Sequence, residues 1–379
     1  MMQTAYGEEL EMFRLTARAF FQKELEPRIK EFEQHGTDRV FWRAAGAAGL
    51  LGVFVPSEYG GPDADPLAIM IVSEELGRTP AGATVGSCLN ADMTTYFMVH
   101  FGTEEQKRRW LPGVVTGDVI QATALTEPES GSDAASIRTT ALRRGDHYVI
   151  NGAKCFISNG SKADLIYVIA KTDPEARGRG TSVILVPGDT PGLTRRLQAT
   201  MGFKGGDTSE LFFDDLKVPV ENLLGKEGEG LRMFQPVISL DRMQLCARSQ
   251  GSAETAFEMT LEYVRNRRIF GQRLIDFQNT QFKLAEMETE IAVGRAFLNE
   301  IINKYRAGTC TDADTSMLKV WVPEMEGRVL DRCLQFWGGS GFMDDMPISR
   351  MYTAARVQRI YAGATELQLA LLARRYLQP

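Results

Sequence analysis

The apolar pattern of this chain changes period twice, and each change marks a switch of secondary structure. From residue 6 to about 111 apolar residues recur at helical spacing, as in "EELEMFRLTARAFFQKEL" and "PLAIMIVSEELGR", with Pro56, Gly60, Gly61 and Pro62 as punctuation. From about 121 to 224 the chain breaks into short runs of β-formers, "HYVING", "LIYVIAK", "TSVILVPG" and "ELFFDDLKVP", divided by Gly, Asn and Asp turns. From 230 onward helical periods return in "AETAFEMTLEYVRNRRIF", "TQFKLAEMETEIAVGRAFLNEIINKY" and "SMLKVWVPEMEGRVLDRCLQFW", long enough for a four-helix bundle. The expected class is α+β: an N-terminal α-helical domain over 1–118, a middle antiparallel β-barrel domain over 119–226 and a C-terminal four-helix bundle over 227–379. No repeat or low-complexity linker separates them, so one packed unit is expected.

With 379 residues and 44% hydrophobic content the chain can bury a sizeable core. A net charge of -6 argues against a broad nucleic-acid surface, although Arg267 and Arg268 could together hold a phosphate; no nucleic-acid partner is expected. The five cysteines, Cys88, Cys155, Cys246, Cys310 and Cys333, are spread out with no CxxC spacing, and read as reduced, mostly buried thiols of a cytoplasmic protein. His35, His100 and His147 form no cluster with metal-ligand spacing, so no metal is expected. The opening "MMQTAYGEELEMF" has neither a basic nor an apolar leader segment, and no run of about 18 apolar residues predicts a membrane span.

At 125–133 the segment "LTEPESGSD" meets the start of the β region, where Thr126, Gly131 and Ser132 offer hydroxyl and backbone N–H donors to an acceptor-rich ring or a phosphate. Alone it reads first as a plain Ser/Gly/Asp turn. It is followed, in order, by "NGAKCFISNG" at Asn151, "RRIFGQRLIDFQNTQFKLAEM" at Arg267, "QFWGGSGF" at Gln335 and "IYAGATELQ" at Ile360. Five segments in this order, across helical, β and helical regions, resemble the acyl-CoA dehydrogenase family over essentially the whole chain. The resemblance implies FAD, with Leu125, Thr126, Gly131, Ser132, Phe156 and Ser158 around the flavin. It also implies that Arg267, Phe270, Gln335, Gly338 and Gly339 reach the adenosine diphosphate part of an FAD in a neighbouring subunit, hence a homotetramer. Electron-transfer flavoprotein is the implied electron acceptor, and no GxGxxG follows a strand to suggest a nicotinamide site.

The family reaction removes an α-proton from an acyl-CoA with a carboxylate, while the thioester carbonyl is polarised partly by a backbone N–H. The resemblance places substrate at Arg242, Tyr361, Ala362 and Gly363. Many members carry the base as glutamate where this chain has Ala362, which keeps the N–H but cannot take a proton. A subset places the glutamate on the first long C-terminal helix, at the position of Asp241, beside Arg242 that would contact the CoA moiety. Asp92 is the other candidate: Val85, Leu89, Asp92, Tyr96 and Val99 follow helical spacing, which sets a carboxylate in an apolar stripe that lines the acyl end of the cavity in the family. Each aspartate has a structural reading too, as a helix-start or hydrogen-bonded residue.

A base away from Cα suits a substrate whose acidic hydrogen is at Cγ. The favoured expectation is therefore 1,4-elimination of cyclohex-1-ene-1-carboxyl-CoA to a conjugated diene, and onward to benzoyl-CoA, with Asp92 as base; this resembles the cyclohex-1-ene-1-carboxyl-CoA dehydrogenase branch. Ordinary α,β-desaturation of cyclohexane-1-carboxyl-CoA or a branched acyl-CoA, with Asp241 as base, competes with it. A reading from another class is an FAD-loaded, non-catalytic scaffold that binds acyl-CoA.

Overall fold

The structure is a computed structural model and describes residues 5–86, 89 and 92–377, the side chains at 92–93 and 177–178 excepted. Among the described residues, the α-helices α1 (Glu8–Phe20), α2 (Ile29–His35), α3 (Arg39–Ala47), α4 (Ala68–Arg78), α5 (Gly82–Val85), α6 (Asp92–Phe101) and α7 (Glu104–Thr116) come first. Their ends follow local chemistry. Asp38 caps α3 by accepting from the Phe41 N–H at 2.8 Å, and Thr103 with Gln106 forms a reciprocal capping box on α7.

Helix α4 is buried on every side from Ala68 to Gly77, which includes Glu74 and Glu75. Buried carboxylates are tolerable only when paired. Glu74 accepts from Arg295 at 2.8 Å, from Arg14 at 3.1 Å and from the Tyr6 hydroxyl at 2.9 Å. Burial works against its charge, but Arg295 and Arg14 outweigh it and hold the Glu74 carboxyl below the ordinary range.

One sheet contains β1 (Gln121–Ala124), β2 (Thr140–Arg144), β3 (His147–Ser158), β4 (Leu165–Lys171), β5 (Thr181–Pro187), β6 (Leu193–Leu197), β7 (Thr208–Pro219) and β8 (Leu223–Leu224). Its order is β6-β7-β3-β2-β4-β5-β8, with β1 also on β4. Most pairs are antiparallel as expected, but β1 and β2 both pair β4 in parallel. Strands β4 and β5 are buried on both faces, which explains their unbroken apolar runs.

The third region holds α8 (Gln235–Asn266), a small ribbon of β9 (Arg268–Ile269) and β10 (Gln272–Arg273), α9 (Gln278–Arg306), α10 (Asp312–Trp337), α11 (Pro347–Ala355) and α12 (Thr365–Ala373). Helices α8 and α10 run parallel: Arg242 bonds Ser316 at 3.1 Å near their starts, and Trp337 bonds Thr260 at 3.2 Å near their ends. Phe97 and Met98 of α6, Tyr167 of β4 and Val237 of α8 share one apolar cluster, so the three regions meet close to the start of α8. No helix among the described residues is long and apolar enough to cross a membrane.

The stripe expected from Val85 to Val99 does not lie on one helix. Gly86, at φ 65, ends α5, and α6 starts anew at Asp92. A glycine accepts that left-handed conformation without a Cβ clash, and the helix phase is lost there. Asp92 opens α6, while its side chain lies outside the described residues, as does Cys88.

Candidate functional site

Strand β1 runs directly into the loop at 125–132. Lys154, fully buried on β3, donates to the Leu125 carbonyl at 2.9 Å and to Glu127 at 2.8 Å, and the Cys155 N–H donates to the Thr126 carbonyl at 2.9 Å. Gly131 and Ser132 are exposed, and a Cβ on Gly131 would meet nothing within 4 Å. Beside this loop, β3 loses register with β7 between Lys154 and Ile157. Such a bulge re-aims side chains: Phe156, at φ 59, is 65% exposed, and Ser158 is exposed at the strand end. An outward aromatic, hydroxyl groups and an open glycine surface suit a flat, acceptor-rich ring such as flavin.

Helix α6 is tied to the same strand. The Thr94 and Thr123 hydroxyls lie 2.7 Å apart, and Gln121 donates to Thr95 at 2.9 Å. Phe97 meets Phe234, which directly precedes α8, edge to face at 4.9 Å. The start of α6, the end of β1 and the start of α8 therefore converge.

Asp241 sits half-buried near that start and accepts from Gln244 at 2.9 Å. Burial raises its pKa above the ordinary carboxylate range, against the opposing pull of the Gln244 hydrogen bond and the Arg242 and Lys319 charges. Arg242 is buried, with its guanidinium turned into the α8–α10 seam toward Ser316, and its Nε has no hydrogen-bond partner.

The charge of Asp241 acts on Tyr361, in the turn at 361–363. Ala362 has φ 51 and Gly363 has φ 86. For alanine this conformation costs about 1–2 kcal/mol, so the surroundings must enforce it. They do so through α10: Lys319 donates to the Gln358 carbonyl at 2.6 Å, and Glu324 accepts from Arg359 at 3.0 Å and from Thr365 at 3.1 Å. The Tyr361 hydroxyl donates to Gln358 at 2.6 Å, and its pKa is pushed well up, chiefly by burial, with the Asp241 and Glu326 charges adding to the effect. Asp241 and the turn thus share one electrostatic neighbourhood.

Arg267, Phe270, Gln335, Gly338 and Gly339 gather elsewhere. Tyr263 stacks on Trp337 at 4.4 Å, which brings the C-terminal ends of α8 and α10 together. All five are exposed, and a Cβ on Gly338 or Gly339 would meet nothing within 4 Å. Asp241 and Arg267 stand at opposite ends of α8, about 39 Å apart at 1.5 Å per residue.

Sequence reasoning missed Lys154, Glu127 and Glu326. Lys154 shares strand parity with the buried Tyr148 and Ile150, so two-residue alternation signals an inward lysine. Glu326 follows Val322 by four residues and precedes Val329 by three on α10, which signals an inward carboxylate. It is 1% exposed, its Oε2 has no partner, and burial pushes its pKa up to about 7.

Three family models match: the acyl-CoA dehydrogenase N-terminal domain over 7–118, the middle domain over 122–216 and the C-terminal domain over 228–377. Among curated proteins, the chain is 36% identical over 373 residues to the mitochondrial long-chain specific acyl-CoA dehydrogenase of Rattus norvegicus, covering 97% of this chain and 86% of that protein. Among solved structures, an acyl-CoA dehydrogenase from Geobacillus kaustophilus superposes with a TM-score of 0.95 at 41% identity, over 99% of this chain and 100% of that one. An acyl-CoA dehydrogenase from Bacillus anthracis, solved in complex with FAD, superposes at 0.88 with 31% identity, over 98% of this chain and 67% of that one.

Proposed function

The chain belongs to the acyl-CoA dehydrogenase family, FAD-dependent oxidoreductases acting on acyl-CoA, and from that premise we propose that Asp241 is the base for α,β-desaturation, in place of the residue lost at Ala362. The observation that carries this reading is the raised, half-buried Asp241 carboxylate in the neighbourhood of the Tyr361 turn. A carboxylate held above its ordinary pKa is a stronger base once ionised.

In this reading Leu125, Thr126, Gly131, Ser132, Phe156 and Ser158 hold the flavin, and FAD when bound supplies the hydride acceptor. The Ala362 N–H polarises the thioester carbonyl. Tyr361 and Gly363 line the acyl group, and Arg242 approaches the CoA moiety. Cyclohexane-1-carboxyl-CoA and branched acyl-CoA are the proposed substrates, and electron-transfer flavoprotein is the proposed acceptor. A homotetramer is part of the proposal: the roughly 39 Å between Asp241 and Arg267 supports assigning Arg267, Phe270, Gln335, Gly338 and Gly339 to a neighbouring subunit's FAD. A cytoplasmic setting is supported by the free state of Cys155, Cys246, Cys310 and Cys333.

One observation favours the second reading, 1,4-elimination of cyclohex-1-ene-1-carboxyl-CoA with Asp92 as base. The first turn of α6 is bonded to β1 through Thr94 and Thr123, next to the loop at 125–132. Anaerobic bleaching of the bound flavin by butyryl-, isovaleryl-, cyclohexane-1-carboxyl- and cyclohex-1-ene-1-carboxyl-CoA separates the two. Bleaching by saturated thioesters supports Asp241; bleaching by the cyclohexene thioester alone, with a diene or benzoyl-CoA as product, transfers the role to Asp92.

A further inference from the structure

We propose that Lys154 and Glu127 form a positioning pair that sets both arms of the flavin cradle and so controls how tightly FAD is held. The proposal rests on the reading that the loop at 125–132 and the strand end at 156–158 hold the flavin. The pair is buried, with Lys154 fully enclosed and Glu127 only 6% exposed. A buried ion pair is no general gain in stability over apolar residues of equal volume, so its presence here points to geometry.

That geometry is specific. Lys154 Nζ donates to the Leu125 carbonyl at 2.9 Å as well as to Glu127 Oε1 at 2.8 Å. In a planar trans peptide the carbonyl and the next N–H point in opposite directions. Pinning the Leu125 carbonyl on the buried lysine therefore aims the Thr126 N–H away from it. The Cys155 N–H holds the Thr126 carbonyl at 2.9 Å, which leaves that residue little freedom. Glu127 in turn accepts from the Thr139 N–H at 2.9 Å and the Arg138 N–H at 2.5 Å, which anchors the loop's return.

The second arm begins at the same lysine. The β3 register slip starts at Lys154 and ends at Ile157, and within it Phe156 is turned outward while its N–H donates to Gln198 at 3.1 Å. One ammonium thus fixes the loop and abuts the bulge that presents the aromatic ring. The titratable groups facing it are Glu127 and Cys155, with Glu210 of β7 acting on Cys155. Burial pushes the Lys154 ammonium down to about 8, against the attraction of Glu127, so mildly alkaline pH discharges it.

The test uses the FAD-loaded protein, diluted so that released FAD is read by its fluorescence, from about pH 6.5 to 9. Lys154→Met is expected to raise the FAD dissociation constant tenfold or more at pH 7, and Glu127→Gln severalfold. The double variant should be no worse than Lys154→Met, because both act on one element. Wild-type affinity should fall as pH passes about 8, and Lys154→Met should abolish that step, which a merely structural role would leave in place. Should Lys154→Met fail to fold, Glu127→Gln and the wild-type pH step carry the test.

Dissociation constants within twofold of wild type in the variants that fold, or a wild-type affinity flat across this pH range, would overturn the proposal. The triple variant Thr126→Ala, Ser132→Ala and Phe156→Ala, which strips the hydroxyls and the ring from both arms, separates the causes of failure. If it weakens FAD while the pair variants do not, the positioning role alone is wrong. If it too leaves FAD binding unchanged, the loop is not the flavin site and the proposal falls with that reading.

Discussion

Ala362 is the residue that most sharply defines this chain, and its meaning became physical only with its backbone angle. By resemblance, the sequence sets an alanine where many family members carry the base; the left-handed φ of 51 adds that the turn is held in a costly conformation by α10. Buried charges, by contrast, were legible in principle from periodicity, yet Glu326 passes for a surface residue in "PEMEGRV" unless α10 is drawn in phase with Val322 and Val329. Its consequence is a pH-dependent stability. Below about pH 4 both folded and unfolded chains hold its proton, and Glu326 contributes nothing. As pH rises to about 7 the unfolded chain releases a proton that the fold still binds, so stability falls, by about 3 kcal/mol in all. Glu326→Gln should therefore be more stable than wild type in urea unfolding at pH 8 and indistinguishable from it near pH 4. An equal difference at both pH values would contradict this origin.

Among the elements, long helices and buried strands were readable because their periods are sustained, as in α8, α9, β4 and β5. Two short-range features were not. Gly86 breaks the α5–α6 region where spacing alone suggested continuity, and the bulge between Lys154 and Ile157 escapes a two-residue pattern because it is an interruption of one. The contacts that join elements were also hidden, since Arg14, Glu74, Glu254 and Arg295 lie far apart in sequence. Arg295 donates to both Glu74 and Glu254, tying α4, α8 and α9 together. Removing it takes one cationic partner from each of two buried carboxylates, which keep Arg14 and Tyr6 at Glu74 and Arg78 and Gln250 at Glu254, so Arg295→Met is expected to destabilise the protein by about 1–3 kcal/mol, seen as a lower urea midpoint. An unchanged midpoint would show that water or rearrangement satisfies those carboxylates.

At the scale of the whole molecule, the chain carries a candidate flavin and substrate region at one end of α8 and a candidate diphosphate region at the other. Phe270 is 94% exposed and Phe342 81% exposed beside the second region, an apolar surface that a neighbouring subunit would cover. Phe342→Glu is expected to lower the native mass in light scattering and to lower FAD occupancy with it; unchanged mass and occupancy would contradict the shared-site arrangement. The central claim, that Asp241 is the base, is tested most directly on the assembled FAD-loaded protein. Stopped-flow anaerobic bleaching of Asp241→Asn by a saturated acyl-CoA that bleaches the wild type should be slowed by about 10²–10⁴-fold with FAD content unchanged. Bleaching at the wild-type rate would contradict the assignment and show that another group takes the α-proton.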